Sequence, residues 1–248
     1  MKERVKEGVF DSMLTRKEIR AVIDFSLDEF SCDACQKSKE RFMKANPKKA
    51  PSKVRDPGDI VVSDLSGPFA GLPEPYYILL MDLYTRFTYV RWILSPTAER
   101  LLEEVNRFFA LINNLYGKYP FVFRCDRGTC FTAKIFSDAM SDCGTQLQHA
   151  DTGAHWQNGS AEKRVDIIET RAHALLEIAG MPMKYFPSAV IYVVALDNRL
   201  PSHRGRSPID AFLHPSGTRK GSITLAPFGC RALAAKPADL RRKKDPKT

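Results

Sequence analysis

Apolar and polar positions along the chain follow two periods, one of about two residues and one of about 3.6, and each predicts elements. Ile60-Val61-Val62 begins a strand over 59–65 with Asp64 near its end. A second apolar strand runs over 76–82 and a third over 87–93, joined by a short turn at Tyr84-Thr85-Arg86. Thr97 can cap a helix reaching about Tyr116, with Leu101, Leu102, Val105, Phe108, Phe109 and Ile112 inward. A strand over 121–124, a short helix over 132–142 and a strand over 145–149 follow. Next comes the polar stretch His155-Trp156-Gln157-Asn158-Gly159-Ser160-Ala161-Glu162. It leads into a helix whose apolar positions are Val165, Ile168, Ala172, Leu175, Leu176 and Ala179, capped by Asn158 or Ser160. A helix is expected over 186–198 despite β-branched Val190, Ile191, Val193 and Val194.

Three consecutive strands, then helix, strand, helix, strand, helix, predict an α/β fold: a mixed sheet with helices on its faces. Residues 1–31 read as one or two short helices, and 46–59 as a linker rich in Pro, Lys and Gly. From about Ile209 the signals are short and end in a basic tail.

The net charge of +9 is carried by the flanks. Residues 37–55 hold eight basic side chains against Glu40, and 236–248 hold six against two acids, leaving the rest near −2. Basic flanks suit a polyanion such as DNA, although a charge run by itself is more often a solvated linker. No apolar run is long enough to cross a bilayer and the N-terminus is not signal-like, so no membrane partner is expected. Six irregularly spaced cysteines do not make a disulfide framework in a chain of this size. Cys125, Cys143 and Cys230 sit among apolar residues and are expected to be reduced core positions.

The candidate chemistry lies in three acids. Asp64 and Asp126 each end an apolar run, Asp126 just before Gly128, and Glu162 starts a helix with 35 residues between it and Asp126. Taken singly, Asp64 and Asp126 each read equally well as a metal ligand or as a solvent-facing strand-end acid, and Glu162 reads more readily as a helix-start acid favoured by the dipole. Asp82 also ends a strand and reads as a turn-capping acid. His149 and His155 flank the loop before Glu162 and read as surface histidines, and Trp156 can stack on a base or pin the loop.

The words around these acids carry a resemblance. Gln157-Asn158-Gly159-Ser160-Ala161-Glu162-Lys163-Arg164 resembles the QNGxAE(R/K) motif of copia-type retrotransposon integrases, and Asp126-Arg127-Gly128-Thr129-Cys130-Phe131 resembles their DNGxxF. Asn198-Arg199-Leu200-Pro201, Ser207-Pro208 and Phe228-Gly229-Cys230 match the group's NRLP, TP and FGC words in order. The resemblance covers roughly residues 30–235. It implies a ribonuclease H-like, mixed five-stranded sheet, three antiparallel strands and then parallel ones, flanked by helices. It implies a division into a helical remnant of an N-terminal zinc module (1–45), a basic linker (46–58), the integrase catalytic core (59–215) and an extension with a basic tail (216–248).

The resemblance further implies that Asp64, Asp126 and Glu162 are catalytic and bind two Mg²⁺ or Mn²⁺ ions, since hard cations take oxygen ligands. Gln157, Asn158, Lys163 and Arg164 would contact nucleic acid. The expected function is metal-dependent DNA strand transfer within a retrotransposon polyprotein. Element-end and target DNA are the partners, the chain is expected to form a homo-oligomer, and the expected compartment is the nucleus, after a cytoplasmic particle stage. Cys32-Asp33-Ala34-Cys35 corresponds to half of the family's His-His-Cys-Cys zinc module. The first histidine is His149, so two thiolates alone are expected not to hold zinc. Two other readings stay open: a decayed or co-opted integrase fold that binds DNA without catalysis, and a ribonuclease H-like nuclease. Arg127, Val165 and Asp166 stand where the family has Asn, Asn and Arg, which favours the first of these.

Overall fold

A computed structural model describes residues 56–149, 159–201, 205–214 and 225–231. The zinc-module pair Cys32 and Cys35, the loop residues His155, Trp156, Gln157 and Asn158, most of the basic linker and the basic tail lie outside the described residues.

The strands are β1 (Ile60–Ser66), β2 (Tyr76–Asp82), β3 (Thr88–Ile93), β4 (Val122–Cys125) and β5 (Gln146–His149). They form one sheet in the order β3-β2-β1-β4-β5. β1–β2 and β2–β3 are antiparallel, whereas β1–β4 and β4–β5 are parallel. The helices are α1 (Ala98–Tyr116), α2 (Lys134–Asp142), α3 (Gly159–Ala179), α4 (Phe186–Arg199) and α5 (Pro208–Leu213). The expected mixed sheet is therefore present, with element ends moved by a residue or two from the sequence reading.

Alternation along the strands builds two cores. Ile60, Val62, Tyr77, Leu79, Met81 and Trp92 face α3 and α4. Val61, Ile78, Leu80, Ile93 and Phe123 face the opposite layer, with Val105 and Phe108 of α1, Phe136 of α2 and Phe212 of α5. By the same alternation, Asp64 falls on the α3 side of β1, in line with Ile60 and Val62.

Local chemistry explains several boundaries. Thr97 caps α1, its side chain accepting from the Arg100 amide, and Gly117 ends it at φ 66°. In α4 the buried residues Phe186, Ala189, Val190, Val193, Val194 and Asp197 recur at helical spacing, and this packed stripe outweighs the β-branched propensities. The six-residue helix α5 was not expected from the sequence. Ser207 caps it by accepting from the Asp210 amide, and Pro208 occupies its first turn. The ring of Phe212 stacks on Phe87 at 4.4 Å between centroids, so tertiary packing holds a helix too short to persist alone.

The family words acquire structural roles. Asn198 accepts from the Thr88 amide at 3.0 Å and donates to its carbonyl at 2.7 Å, clamping the start of edge strand β3. Gly229, at φ 75°, packs so closely on α3 that an added Cβ would lie 2.6 Å from the Ala179 Cβ. One cysteine expectation is corrected: Cys230 is exposed and Cys143 half-buried, while Cys125 is buried; all three are free thiols. Cys230 sits in a turn whose partner Phe228 is the residue that packs on the core.

Candidate active site

The parallel pairing of β1 with β4 aligns Val61 with Phe123 and Val62 with Arg124. Continued by two residues, this register sets Asp64 beside Asp126 on neighbouring strand ends. Both then fall on the α3 side of the sheet. Glu162 lies exposed in the first turn of α3, which packs across β1 and β2.

Asp64 is half-buried and its Oδ1 accepts from the Leu65 amide at 2.9 Å. Burial pushes its carboxyl up to about 7; the Leu65 N–H opposes this, and the charges of Asp126, Glu162 and Glu169 add to it. Asp126 folds back on its own turn, Oδ1 accepting from the Gly128 amide at 3.1 Å. A Cβ at position 128 would lie 3.1 Å from that oxygen, so glycine leaves the carboxylate room. His149 Nδ1 is 3.1 Å from the Asp126 carbonyl oxygen, which ties β5 to the same turn.

The fourth acid, Glu169, was missed in the sequence. It lies two helical turns beyond Glu162, and that spacing was the available signal. Its Oε1 accepts from Ser66 Oγ at 2.5 Å and Tyr77 Oη at 3.0 Å, fastening α3 to β1 two residues past Asp64. Asp82, by contrast, is a buried turn cap as expected. Its Oδ2 accepts from the Thr85 amide and hydroxyl and its Oδ1 from the Gly58 amide.

Among the described residues, no three His, Cys, Asp or Glu side chains gather closely enough to hold a metal ion. Asp64, Asp126 and Glu162 interact through their charges but do not close into a three-donor set. Lys163 is exposed beside Glu162. Arg164 donates to Asp197 Oδ2 at 2.8 Å and to Thr88 Oγ1 at 3.1 Å. Arg171 donates to the same Asp197 carboxylate, which is buried and needs cationic partners there.

No protein-family model matches the chain. Over 197 residues it is 28% identical to a retrovirus-related Pol polyprotein from transposon TNT 1-94 of Nicotiana tabacum, a match covering 77% of this chain and 14% of that one. The chain thus spans about a seventh of the length of this relative. In fold it is similar to a simian T-cell lymphotropic virus intasome solved in complex with a phosphatase regulatory subunit, with a TM-score of 0.57 and 14% identity. That match covers 94% of this chain and 80% of the other. An HTLV-2 integrase catalytic core solved in complex with magnesium matches with a TM-score of 0.47 and 16% identity, over 64% of this chain and 99% of that one. Sequence similarity and fold agree: the chain resembles copia-type retrotransposon integrases and has the ribonuclease H-like architecture.

Proposed function

We propose that the chain is the integrase region of a retrotransposon polyprotein, with Asp64, Asp126 and Glu162 as the acids of a metal-dependent DNA strand-transfer site. The observation that carries this reading is the setting of Asp64. It is a half-buried carboxylate raised to about 7 and surrounded by the charges of further acids. Such an arrangement disfavours the apo protein and suits a site meant to receive cations.

The donor set fits Mg²⁺ or Mn²⁺ in kind, since all three side chains offer oxygen. A divalent pair supplies activation of the attacking oxygen and stabilisation of the leaving one. Asp64, Asp126 and Glu162 would hold the ions through their carboxylate oxygens. Asp64 and Asp126 stand on strand ends held by the sheet, whereas Glu162 stands on the first turn of α3. Asp64 must release its proton before it can serve as a ligand. The DNA 3′-hydroxyl is the nucleophile for joining, and water for end processing. Element-end and target DNA would be the partners, with a homo-oligomer acting in the nucleus.

A strand-transfer assay with an oligonucleotide copy of the element end, in Mg²⁺ and in Mn²⁺, tests the reading. Asp64→Asn, Asp126→Asn and Glu162→Gln should each abolish joining with folding intact. Joining that survives all three substitutions would refute it. A second reading, a DNA-binding relic without chemistry, is favoured by the lack of a closed three-donor set among the described residues and by Asp166 one turn after Glu162. DNA binding with no joining under any metal would establish that one.

A further inference from the structure

The Glu169 carboxylate takes part in no step of the proposed chemistry, yet it is built into the sheet beside the acids. Ser66 Oγ and Tyr77 Oη both donate to one of its oxygens, Oε1, at 2.5 and 3.0 Å. Ser66 and Tyr77 face each other across the β1–β2 ladder, so a single oxygen joins α3 to both strands. Tyr77 is fully buried. Burial, with the Glu169 charge beside it, holds the Tyr77 phenol well above its usual range, so it stays a donor.

The place of this link along both elements gives it meaning. On β1, Ser66 lies two residues beyond Asp64, on the same side of the strand. On α3, Glu169 lies two turns beyond Glu162 on nearly the same face, about 10 Å along the axis. A second polar contact ties the earlier part of α3: Arg164 donates to Thr88 Oγ1 at 3.1 Å. Thr88 pairs with Met81, and Met81 with Val62, so Thr88 is level with the residue two before Asp64. Asp64 therefore lies between two points at which α3 is tied to the sheet. Ile168 and Ala172 press the helix onto the sheet, but apolar packing has no direction of its own. A hydrogen bond, with its narrow range of distance and angle, constrains the slide of α3 along β1 more sharply.

We propose that Glu169 is a positioning residue: through Ser66 it sets where α3 stands along β1, and so the separation of Glu162 from Asp64. The inference rests on the acid-site reading above, and divalent-cation affinity is the property it predicts. Both bonds fall on one oxygen, so the amide oxygen of a glutamine accepts both, whereas alanine accepts neither.

The test is titration of the full chain with Mn²⁺ in the absence of DNA, at a temperature well below unfolding. Free Mn²⁺ is followed by electron paramagnetic resonance, and the melting temperature of each variant is measured beside it. Glu169→Ala and Ser66→Ala should each weaken Mn²⁺ binding about tenfold, the usual scale for residues that orient metal ligands. The double variant should lose no more than either alone, because both remove the same bond. Glu169→Gln should stay within about threefold of the wild type. Tyr77→Phe keeps the Ser66 bond, and should lower the melting temperature with Mn²⁺ affinity unchanged. Unchanged affinity in both alanine variants overturns the inference. An equal loss in Glu169→Gln also overturns it, since the charge and not the bond would be the cause. So does an affinity that tracks the melting temperature across all the variants, since the link would then serve stability alone. Asp64→Asn separates this inference from the reading beneath it. If that variant loses binding while the alanine variants bind like the wild type, the acids stand and the positioning role falls. If the wild type binds no Mn²⁺, or Asp64→Asn leaves binding intact, both fall.

Discussion

A carboxylate taken out of water is unstable as a charge, more so beside other carboxylates, and Asp64 is in that position. An unfolded Asp titrates near its ordinary value of about 3.9, and the folded Asp64 near 7. Between these values the folded chain holds a proton that the unfolded chain has released. Stability should therefore fall as the pH rises from about 4 to about 7, and the penalty is complete above that. Asp64→Asn should flatten the slope and stabilise the metal-free protein at pH 8 by about 1–2 kcal/mol, allowing for solvent screening. Thermal melts in EDTA at a series of pH values measure this. Melting curves that respond identically to pH in the wild type and the variant would dismiss it. Manganese affinity should climb with pH over the same window, because binding displaces the proton.

At the scale of elements, α4 is the piece that organises the α3 face. Its Asp197 gathers Arg164 and Arg171 of α3, and its Asn198 completes the edge of the sheet. Both are buried polar residues whose partners would be stranded without them. Asn198→Ala leaves an amide and a carbonyl of Thr88 unpaired, a loss of about 2–4 kcal/mol. Urea unfolding should show the midpoint lowered with the slope unchanged. A loss of a few tenths of a kcal/mol would mean that water replaces the clamp. Glu104 of α1 makes a comparable case on the other layer: it is fully buried, yet Tyr89, Arg100 and Arg107 satisfy it.

At the scale of the molecule, the positive charge is concentrated on flanks outside the described residues, while the core around the acids is close to neutral. Asp166 lies one turn beyond Glu162 on α3 and repels any phosphate brought past that face. Asp166→Arg should raise DNA affinity and joining, most clearly at low salt, as Debye screening weakens the effect in concentrated salt. Unchanged binding across a salt series would show that this helix face does not meet DNA. No helix among the described residues is long and apolar enough to cross a membrane.

Hydrophobic periodicity placed the strands and long helices of the described residues, because period two and period 3.6 each assign a residue to a face before any partner is known. Local chemistry was equally legible: Thr97 as a cap and Asp82 as a turn acid depend on neighbours three residues away. The motif words singled out Asp126 and Glu162 and the strand pattern singled out Asp64, while the parallel register of β1 with β4, continued by two residues, aligns Asp64 with Asp126. Tertiary structure decided the rest. Arg164 turns inward because Asp197 lies 33 residues later, and Glu169 joins the site because Ser66 lies 103 residues earlier. Helix α5 persists because Phe212 stacks on Phe87. A short-range pattern encodes which face a residue takes; which charge it meets there depends on segments distant in the chain, brought together by packing.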